Sequence, residues 1–181
     1  MFSGASFTSD SSWWVVSSHA HFSLQPSWDV SSGTYFSAMF QGALTFNSNI
    51  SQWNASSGIH FSWMFDSAYG FNSDLCQWDV LSGFDFTDMF YDARNFNSNI
   101  SQWDISSGTH FIGMFGSAWS FNSDISMWDV SSGADFSEVF YDARNFNSDL
   151  SHWDVSSETD FTKMFSGPSN FTADLSQWDV S

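Results

Sequence analysis

The hydrophobic positions of this chain recur every 25 residues along most of its length. Tryptophans mark the period at Trp28, Trp53, Trp78, Trp103, Trp128, Trp153 and Trp178. Phenylalanines keep the same interval at Phe46, Phe71, Phe96, Phe121, Phe146 and Phe171. A fixed period of this size is typical of stacked repeat proteins, in which each repeat contacts only its neighbours. The sequence therefore predicts a solenoid of 25-residue coils.

Each period combines two hydrophobic patterns. Residues 100–105 carry apolar side chains at positions 1, 4 and 6, and the last two are spaced as in a half-buried strand. Residues 111–121 carry them at i, i+3, i+4, i+7 and i+10, which is one face of a short helix. We therefore expect an α/β repeat solenoid of leucine-rich-repeat type. Each 25-residue coil would contribute one short strand to a parallel sheet and one short helix.

The pattern also predicts the organisation of the chain. From Trp28 onward the register is uninterrupted, so residues 28–181 are expected to form six 25-residue repeats and a partial one. Residues 1–27 follow the pattern loosely and are expected to form irregular N-terminal coils, where Pro26 opposes a helix. The chain starts and stops within a repeat. We therefore expect a piece of a longer array, with any signal or anchor outside this segment.

Composition narrows the possible partners. The chain has 3 lysines and arginines against 20 acidic residues, a formal charge of −17. This balance argues against nucleic acid and anionic membranes, which both attract basic surfaces. Aromatic residues make up 20% of the chain, far more than in a disordered acidic segment. Cys76 is the single cysteine, which excludes an internal disulfide, and the sequence has no apolar run long enough for a membrane span.

The repeated pattern is Phe-Asn-Ser-Asp-Ile-Ser-x-Trp-Asp-Val-Ser-Ser-Gly-x-x-Phe-x-x-Met-Phe-x-x-Ala. It resembles the repeat of roughly 26 residues in bacterial surface proteins. That repeat is shared by BspA-like leucine-rich-repeat surface proteins and lipoproteins, and it also occurs in algal proteins. Two departures recur from coil to coil. A glycine stands where the family usually has valine (Gly33, Gly58, Gly83, Gly108, Gly133), and a phenylalanine where it often has methionine (Phe36, Phe61, Phe86).

The resemblance implies an extracellular or cell-surface location and an adhesive or interaction role rather than a reaction. In leucine-rich-repeat geometry, positions 3, 5 and 7 of each strand face solvent. The candidate binding residues on this face are Gln77, Asp79, Gln102, Asp104, Asp129, His152 and Asp154. We expect this face to bind a protein or glycan at a cell surface.

The aspartates of this face have two interpretations. Neighbouring carboxylates in a stack repel by roughly 1–3 kcal/mol, so the column fits an array stabilised by Ca²⁺, which prefers carboxylate oxygens. Alternatively, each aspartate accepts hydrogen bonds from the Ser-Ser turn that follows it. A second column is expected to satisfy backbone groups in the return loop through its side chains: Asn47, Asn72, Asn97, Asn122 and Asn147.

The sequence predicts no enzyme. It has no nucleophile elbow, phosphate-binding loop or zinc-protease motif. His60 and His110 have no companion ligands at zinc-like spacing, so no cofactor is expected beyond the calcium alternative. Four aromatic residues outside the core spacing either anchor a partner or pack on the next coil: Trp63, Tyr91, Trp119 and Tyr141.

Overall fold

The computed structural model describes residues 29–157, 160–168 and 171–180. Within these ranges the chain forms a stack of 25-residue coils. Single-residue parallel bridges join successive coils at one position per repeat, and they link Tyr35, His60, Asp85, His110, Asp135 and Asp160 in that order. The irregular coils expected for residues 1–27 lie outside the described residues.

The segment in which a helix was expected forms overlapping turns, and no helix is present in the described ranges. Within residues 111–121, Gly116 N–H donates to Gly113 O at 2.8 Å, which closes a turn of four residues. Gly113 N–H instead donates to Ser137 O of the next coil at 2.9 Å. The N–H groups thus alternate between their own coil and the next one. An α-helix cannot do this, because its N–H groups bond within the helix.

These turns place two backbone positions per coil in the left-handed region. One position carries Ala38, Trp63, Asp88, Gly113, Glu138 and Lys163, with φ between 52° and 58°. The other carries Gly42, Ser67, Asp92, Ser117, Asp142 and Gly167. A non-glycine residue in this region costs roughly 1–2 kcal/mol. The hydrogen bonds between coils offset this cost, since N–H groups at both positions donate to the following coil.

The segment in which a strand was expected has the predicted burial but not the predicted backbone, and no extended strand is present in the part of the chain that the structure describes. Trp103 and Ile105 are buried, whereas Gln102 and Asp104 are exposed. Trp103 N–H donates to Ile100 O at 3.1 Å and closes a turn. Hydrophobic periodicity indicates which side chains are buried, but a short apolar run does not determine the backbone conformation. The leucine-rich-repeat class stays a prediction.

The core consists of stacked columns of like side chains. The rings of Phe65, Phe90 and Phe115 lie with centroids 5.5 and 5.7 Å apart. Parallel stacking at this distance is a favourable aromatic arrangement. Similar columns of phenylalanine, methionine and aliphatic residues run through the described coils. Each coil thus buries its apolar side chains against the equivalent side chains of its neighbours.

The tryptophan column is buried as the sequence predicted. Trp103 and Trp128 are 3% and 4% exposed, and their rings lie parallel with centroids 6.5 Å apart. Trp103 Nε1 also donates to Leu75 O of the preceding coil at 3.0 Å. The same bond to the preceding coil recurs at Trp78, Trp128, Trp153 and Trp178. The prediction of buried indoles is confirmed from Trp53 to Trp153, and neighbouring indoles are stacked in three pairs. Trp178 is only partly buried, and Trp28 lies outside the described residues.

The recurrent glycine and the recurrent phenylalanine are structurally coupled. Gly108 is buried, and a Cβ built on it would lie 2.5 Å from Cζ of Phe111 and 3.0 Å from Ile105 O. The phenylalanine ring therefore occupies the space that a larger side chain at the glycine position would need. The same collision with the phenylalanine three residues later occurs at Gly58, Gly83 and Gly133.

The asparagine column hydrogen-bonds to backbone groups of the neighbouring coil, as predicted. Asn97 Oδ1 accepts the N–H of Asn122 at 2.8 Å. The same bond links each asparagine of the column to the next one, from Asn47 through Asn147.

In the described part of the chain, no buried side-chain nitrogen or oxygen lacks a hydrogen-bond partner. The same residues contain no helix that is long and apolar enough to cross a membrane.

Candidate binding face

The seven candidate binding residues are all exposed on the same face of the repeat. They occupy two neighbouring columns, with Gln77, Gln102 and His152 in one and Asp79, Asp104, Asp129 and Asp154 in the other. We call this surface the Asp–Gln face. The side chains flank the buried tryptophan of each coil, because residues on either side of a buried position point outward. The stack of coils therefore repeats the same polar pair along one surface.

The aspartates of the Asp–Gln face are held by the turn that follows each of them. Asp104 Oδ1 accepts the N–H of Ser106 at 3.1 Å and its hydroxyl at 2.6 Å. The hydroxyl bond is the main cause that lowers the pKa of Asp104. Ser156 lowers the pKa of Asp154 in the same way. The Asx-turn interpretation thus describes the observed geometry, which keeps these carboxylates charged and fixes their orientation.

The other column is more loosely held. Gln102 Nε2 lies 3.3 Å from Ser101 Oγ, and His152 Nδ1 lies 3.2 Å from Ser151 Oγ. Gln77 Nε2 lies 3.4 Å from the sulfur of Cys76. These are long contacts to the adjacent residue, so the side chains remain available to a ligand.

Two clefts lie on the Asp–Gln face, on either side of Met127. The larger has a volume of ≈ 490 Å³ and is lined by Ser101, Gln102, Trp103, Asp104, Ser106, Met127 and Asp129. The smaller, of ≈ 220 Å³, is lined by Ser126, Met127, Trp128, Asp129, His152 and Asp154. Five of the seven predicted residues line these clefts, whereas Gln77 and Asp79 line neither of the two.

Met127 is the residue of this site that the sequence analysis did not select. Its side chain is 79% exposed and contributes to both clefts. Sister coils carry Gln52, Gln77, Gln102 and Gln177 at this position, so the break in the glutamine column was the available signal. Methionine is flexible and polarisable, and it is common at adaptable binding surfaces.

Two of the aromatic residues outside the core spacing behave differently. Trp119 packs between neighbouring coils, since the guanidinium groups of Arg94 and Arg144 lie 4.3 and 4.0 Å from its ring centroid. Trp63 is 43% exposed, although its Nε1 donates to Asp88 Oδ2 at 3.1 Å. Packing on the next coil thus accounts for Trp119, and Trp63 still presents a ring to solvent.

Two histidines of the described coils lie beside aromatic rings. Among the described residues, no three His, Cys, Asp or Glu side chains come together to hold a metal ion. His60 stacks on Tyr35 with ring centroids 4.7 Å apart and lies 3.9 Å from Asp85. His110 contacts the ring of Phe84 at 4.9 Å. Both histidines therefore pack against surface rings of adjacent coils.

The sequence model of one protein family matches this chain. The family is described as "Mycoplasma protein of unknown function, DUF285", and the matches cover residues 20–124 and 99–181. Together they span more than half of the chain, and the two overlapping matches agree with a repeated sequence. No curated protein and no solved structure matched the chain.

Proposed function

The chain belongs to the family described as Mycoplasma protein of unknown function, DUF285, and from this premise we propose that it is a non-enzymatic adhesion scaffold. In this proposal the protein is secreted or displayed at a cell surface and binds a protein or glycan through the Asp–Gln face. The resemblance of its repeats to those of BspA-like surface proteins supports the location. The observation that carries the binding role is the pair of clefts around Met127.

The composition of the clefts supports recognition rather than catalysis. Their polar groups are carboxylates, amides and hydroxyls that can bind donors of a glycan or a protein surface. Asp104 and Asp154 have lowered pKa values, so neither is poised to transfer protons near neutral pH. Met127 adds an adaptable apolar contact at the centre. Fixed polar groups around an apolar contact are the usual arrangement of a ligand-binding surface.

An adhesion assay tests this proposal. Beads carrying the purified chain are added to cell monolayers, alongside beads carrying the double variant Gln102→Ala, Asp104→Ala. We expect the wild-type beads to adhere and the variant to adhere several-fold less, while its unfolding curve keeps its cooperativity. Treating the cells with protease or with periodate distinguishes a protein ligand from a glycan. Equal adhesion of both kinds of bead would contradict the proposed face.

A control comes from the asparagine column. Asn97→Asp changes an exposed side chain away from the Asp–Gln face and keeps an oxygen acceptor for the N–H of Asn122. It should adhere like the wild type. Loss of adhesion in this control would show that binding does not depend on the clefts around Met127.

A further inference from the structure

Every lysine and arginine of this chain lies over an aromatic ring. The chain has 3 such residues: Arg94 lies over Tyr69 and Trp119, Arg144 over Trp119, and Lys163 over Tyr141, at 4.0 to 5.9 Å from the ring centroids. A cation over a ring face is attracted by its quadrupole. The repeat therefore uses its surface rings as cation sites.

One of these arrangements provides a template for another part of the molecule. Lys163 Nζ donates to Glu138 Oε1 at 2.8 Å and lies 5.9 Å from the centroid of Tyr141. Glu138 and Tyr141 belong to one coil, and Lys163 occupies the Glu138 position in the next coil. An acid, a ring and the cation of the following coil thus form one unit on the surface.

The same unit occurs 50 residues earlier without its cation. Asp88 and Tyr91 stand at the positions of Glu138 and Tyr141, and the residue in place of the lysine is Gly113. A Cβ built on Gly113 would collide with Asp88 Oδ1 and would lie 3.4 Å from Cδ2 of Tyr91. Gly113 is buried, because the carboxylate and the ring cover it at the place where the template carries a lysine.

Trp63 adds a second ring that the template does not have. It occupies the position of Asp88 one coil earlier, and its Nε1 donates to Asp88 Oδ2 at 3.1 Å. Its ring is 43% exposed. The hydrogen bond fixes an exposed ring beside the carboxylate, and the indole is the side chain that binds cations best.

The surroundings of this unit favour a positive charge. Burial and the acidic neighbours Asp66, Glu138 and Asp85 together raise the pKa of Asp88 to about 6, against the hydrogen bond from Trp63, which lowers it. The chain has no fourth lysine or arginine to neutralise them, and its formal charge is −17. Its three cations pair with Asp92, Asp142 and Glu138, so a cation at Asp88 would come from another molecule. A basic partner is complementary to the whole chain.

We propose that Trp63, Asp88 and Tyr91 bind the ammonium group of a lysine side chain carried by a partner protein. The ammonium pairs with the Asp88 carboxylate over Gly113, as Lys163 pairs with Glu138 in the template, and the two rings flank its methylene stem. We call these three residues the lysine site. It does not involve the clefts on the Asp–Gln face, so the two proposals succeed or fail separately.

A titration followed by NMR tests the lysine site. The indole N–H signal of Trp63 is identified by its absence in Trp63→Phe, and a glycine–serine peptide with several lysines is then added to the ¹⁵N-labelled chain. We expect the Trp63 signal to shift and saturate, while that of Trp119, whose ring faces Arg94 and Arg144, stays in place. The same peptide with acetylated lysines should have no effect, because it carries no ammonium group.

Two variants of equal charge separate site binding from general attraction to an acidic chain. Gly113→Lys supplies a lysine internally, in a backbone conformation that Lys163 already adopts at the equivalent position, and the Asp88 carboxylate must shift to admit the new Cβ. It should weaken the affinity for the lysine peptide at least about tenfold. Gln52→Lys adds the same charge on the Asp–Gln face and should bind the peptide as the wild type does, apart from a small screened effect.

Asp88→Asn keeps the shape of the site and removes its charge, so it should also weaken binding of the lysine peptide. This variant replaces Gly113→Lys in the test if Gly113→Lys does not fold. The proposal is overturned if Trp63 does not respond to the lysine peptide, or if the acetylated peptide has the same effect. It is also overturned if Gly113→Lys and Gln52→Lys bind equally. A response of Trp63 to a panel of monosaccharides, with none to the lysine peptide, would assign the exposed ring to a glycan instead.

Discussion

Asp104 and Asp88 are both surface carboxylates of the same repeat, yet their surroundings are opposite. The turn that follows Asp104 donates two hydrogen bonds to it, and its pKa is lowered. Asp88 receives one bond from Trp63, is partly buried among acidic neighbours, and has its pKa raised to about 6. Asp104 belongs to a repeated column, whereas Asp88 occupies a position whose residue differs in every described coil.

This difference separates two kinds of position. Repeated residues satisfy one another from coil to coil, through stacked rings, the asparagine column and the Asx turns. Other residues differ from coil to coil, as Asp88 and Gly113 do at their shared position, or replace the common residue of a column, as Met127 does on the Asp–Gln face. We infer that the buried repeated columns maintain the stack, whereas recognition depends on the exposed Asp–Gln face and on exposed positions that differ from coil to coil.

The largest effect is expected from truncating a repeated aromatic residue. Trp103→Ala removes a stacked ring and the bond from Nε1 to Leu75 O, so it should destabilise the chain by about 3–5 kcal/mol. Trp63→Ala makes the same chemical change at an exposed ring and should cost less than about 1 kcal/mol. Urea unfolding of both variants measures the difference. Similar losses of stability in the two variants would remove the distinction between buried repeated positions and exposed variable ones.

A smaller effect should follow from placing a valine at the recurrent glycine. Gly108→Val places a side chain where the ring of Phe111 lies, and overpacking of this kind costs roughly 1–3 kcal/mol. Adding Phe111→Met should recover part of this loss, because the smaller, flexible side chain vacates the space. A double-mutant cycle measures this coupling, and simple additivity of the two changes would contradict it.

The asparagine column should contribute about one hydrogen bond per coil. Asn97→Ala removes the acceptor for the N–H of Asn122 and should cost roughly 1 kcal/mol. Asn97→Asp keeps an acceptor and should lie close to the wild type. The two unfolding midpoints give the comparison. Equal stability of the alanine and aspartate variants would mean that the column does not support the stack.

The contrast between the two carboxylates predicts opposite pH dependence. The pKa of Asp88 is raised from 3.8 to about 6, so the folded state holds this proton more tightly and loses stability as pH rises between these values. The pKa of Asp104 is lowered, so its contribution is lost as pH falls through the lowered pKa. Asp88→Asn should therefore gain stability relative to the wild type as pH rises from 3.8 to about 6. A constant difference would contradict this.

The smallest effect is expected from calcium. The aspartates of the Asp–Gln face already accept hydrogen bonds from their turns, so we expect the same melting temperature with calcium and with a chelator. A clear rise with calcium would favour the alternative of a calcium-stabilised adhesive array.

Much of the interior could be predicted from the sequence. The period identified the buried tryptophans, and the regular asparagines identified a column that bonds to backbone groups. These features depend on identical neighbours one coil away, so a fixed spacing is enough to reveal them. The exposure of Gln102 and Asp104 followed from the same alternation.

The backbone of the coils could not be predicted in the same way. Residues 111–121 bury the same side chains in overlapping turns as they would in a short helix, so the hydrophobic pattern does not distinguish the two. Left-handed residues such as Trp63 and Glu138 have no signature in the sequence, because non-glycine side chains rarely adopt this conformation. The proposed lysine site could not be predicted from the sequence either, because it depends on which side chains of neighbouring coils come together around Asp88.

Hydrogen exchange of the tryptophan indole N–H groups tests the central distinction most directly. We predict slow exchange at Trp78, Trp103, Trp128 and Trp153, whose indoles are buried and donate to carbonyls of the preceding coil. Trp63 should exchange much faster, because its bond to Asp88 lies at the surface. Uniformly fast exchange, or protection of Trp63 equal to that of Trp103, would contradict a stack held by its repeated columns.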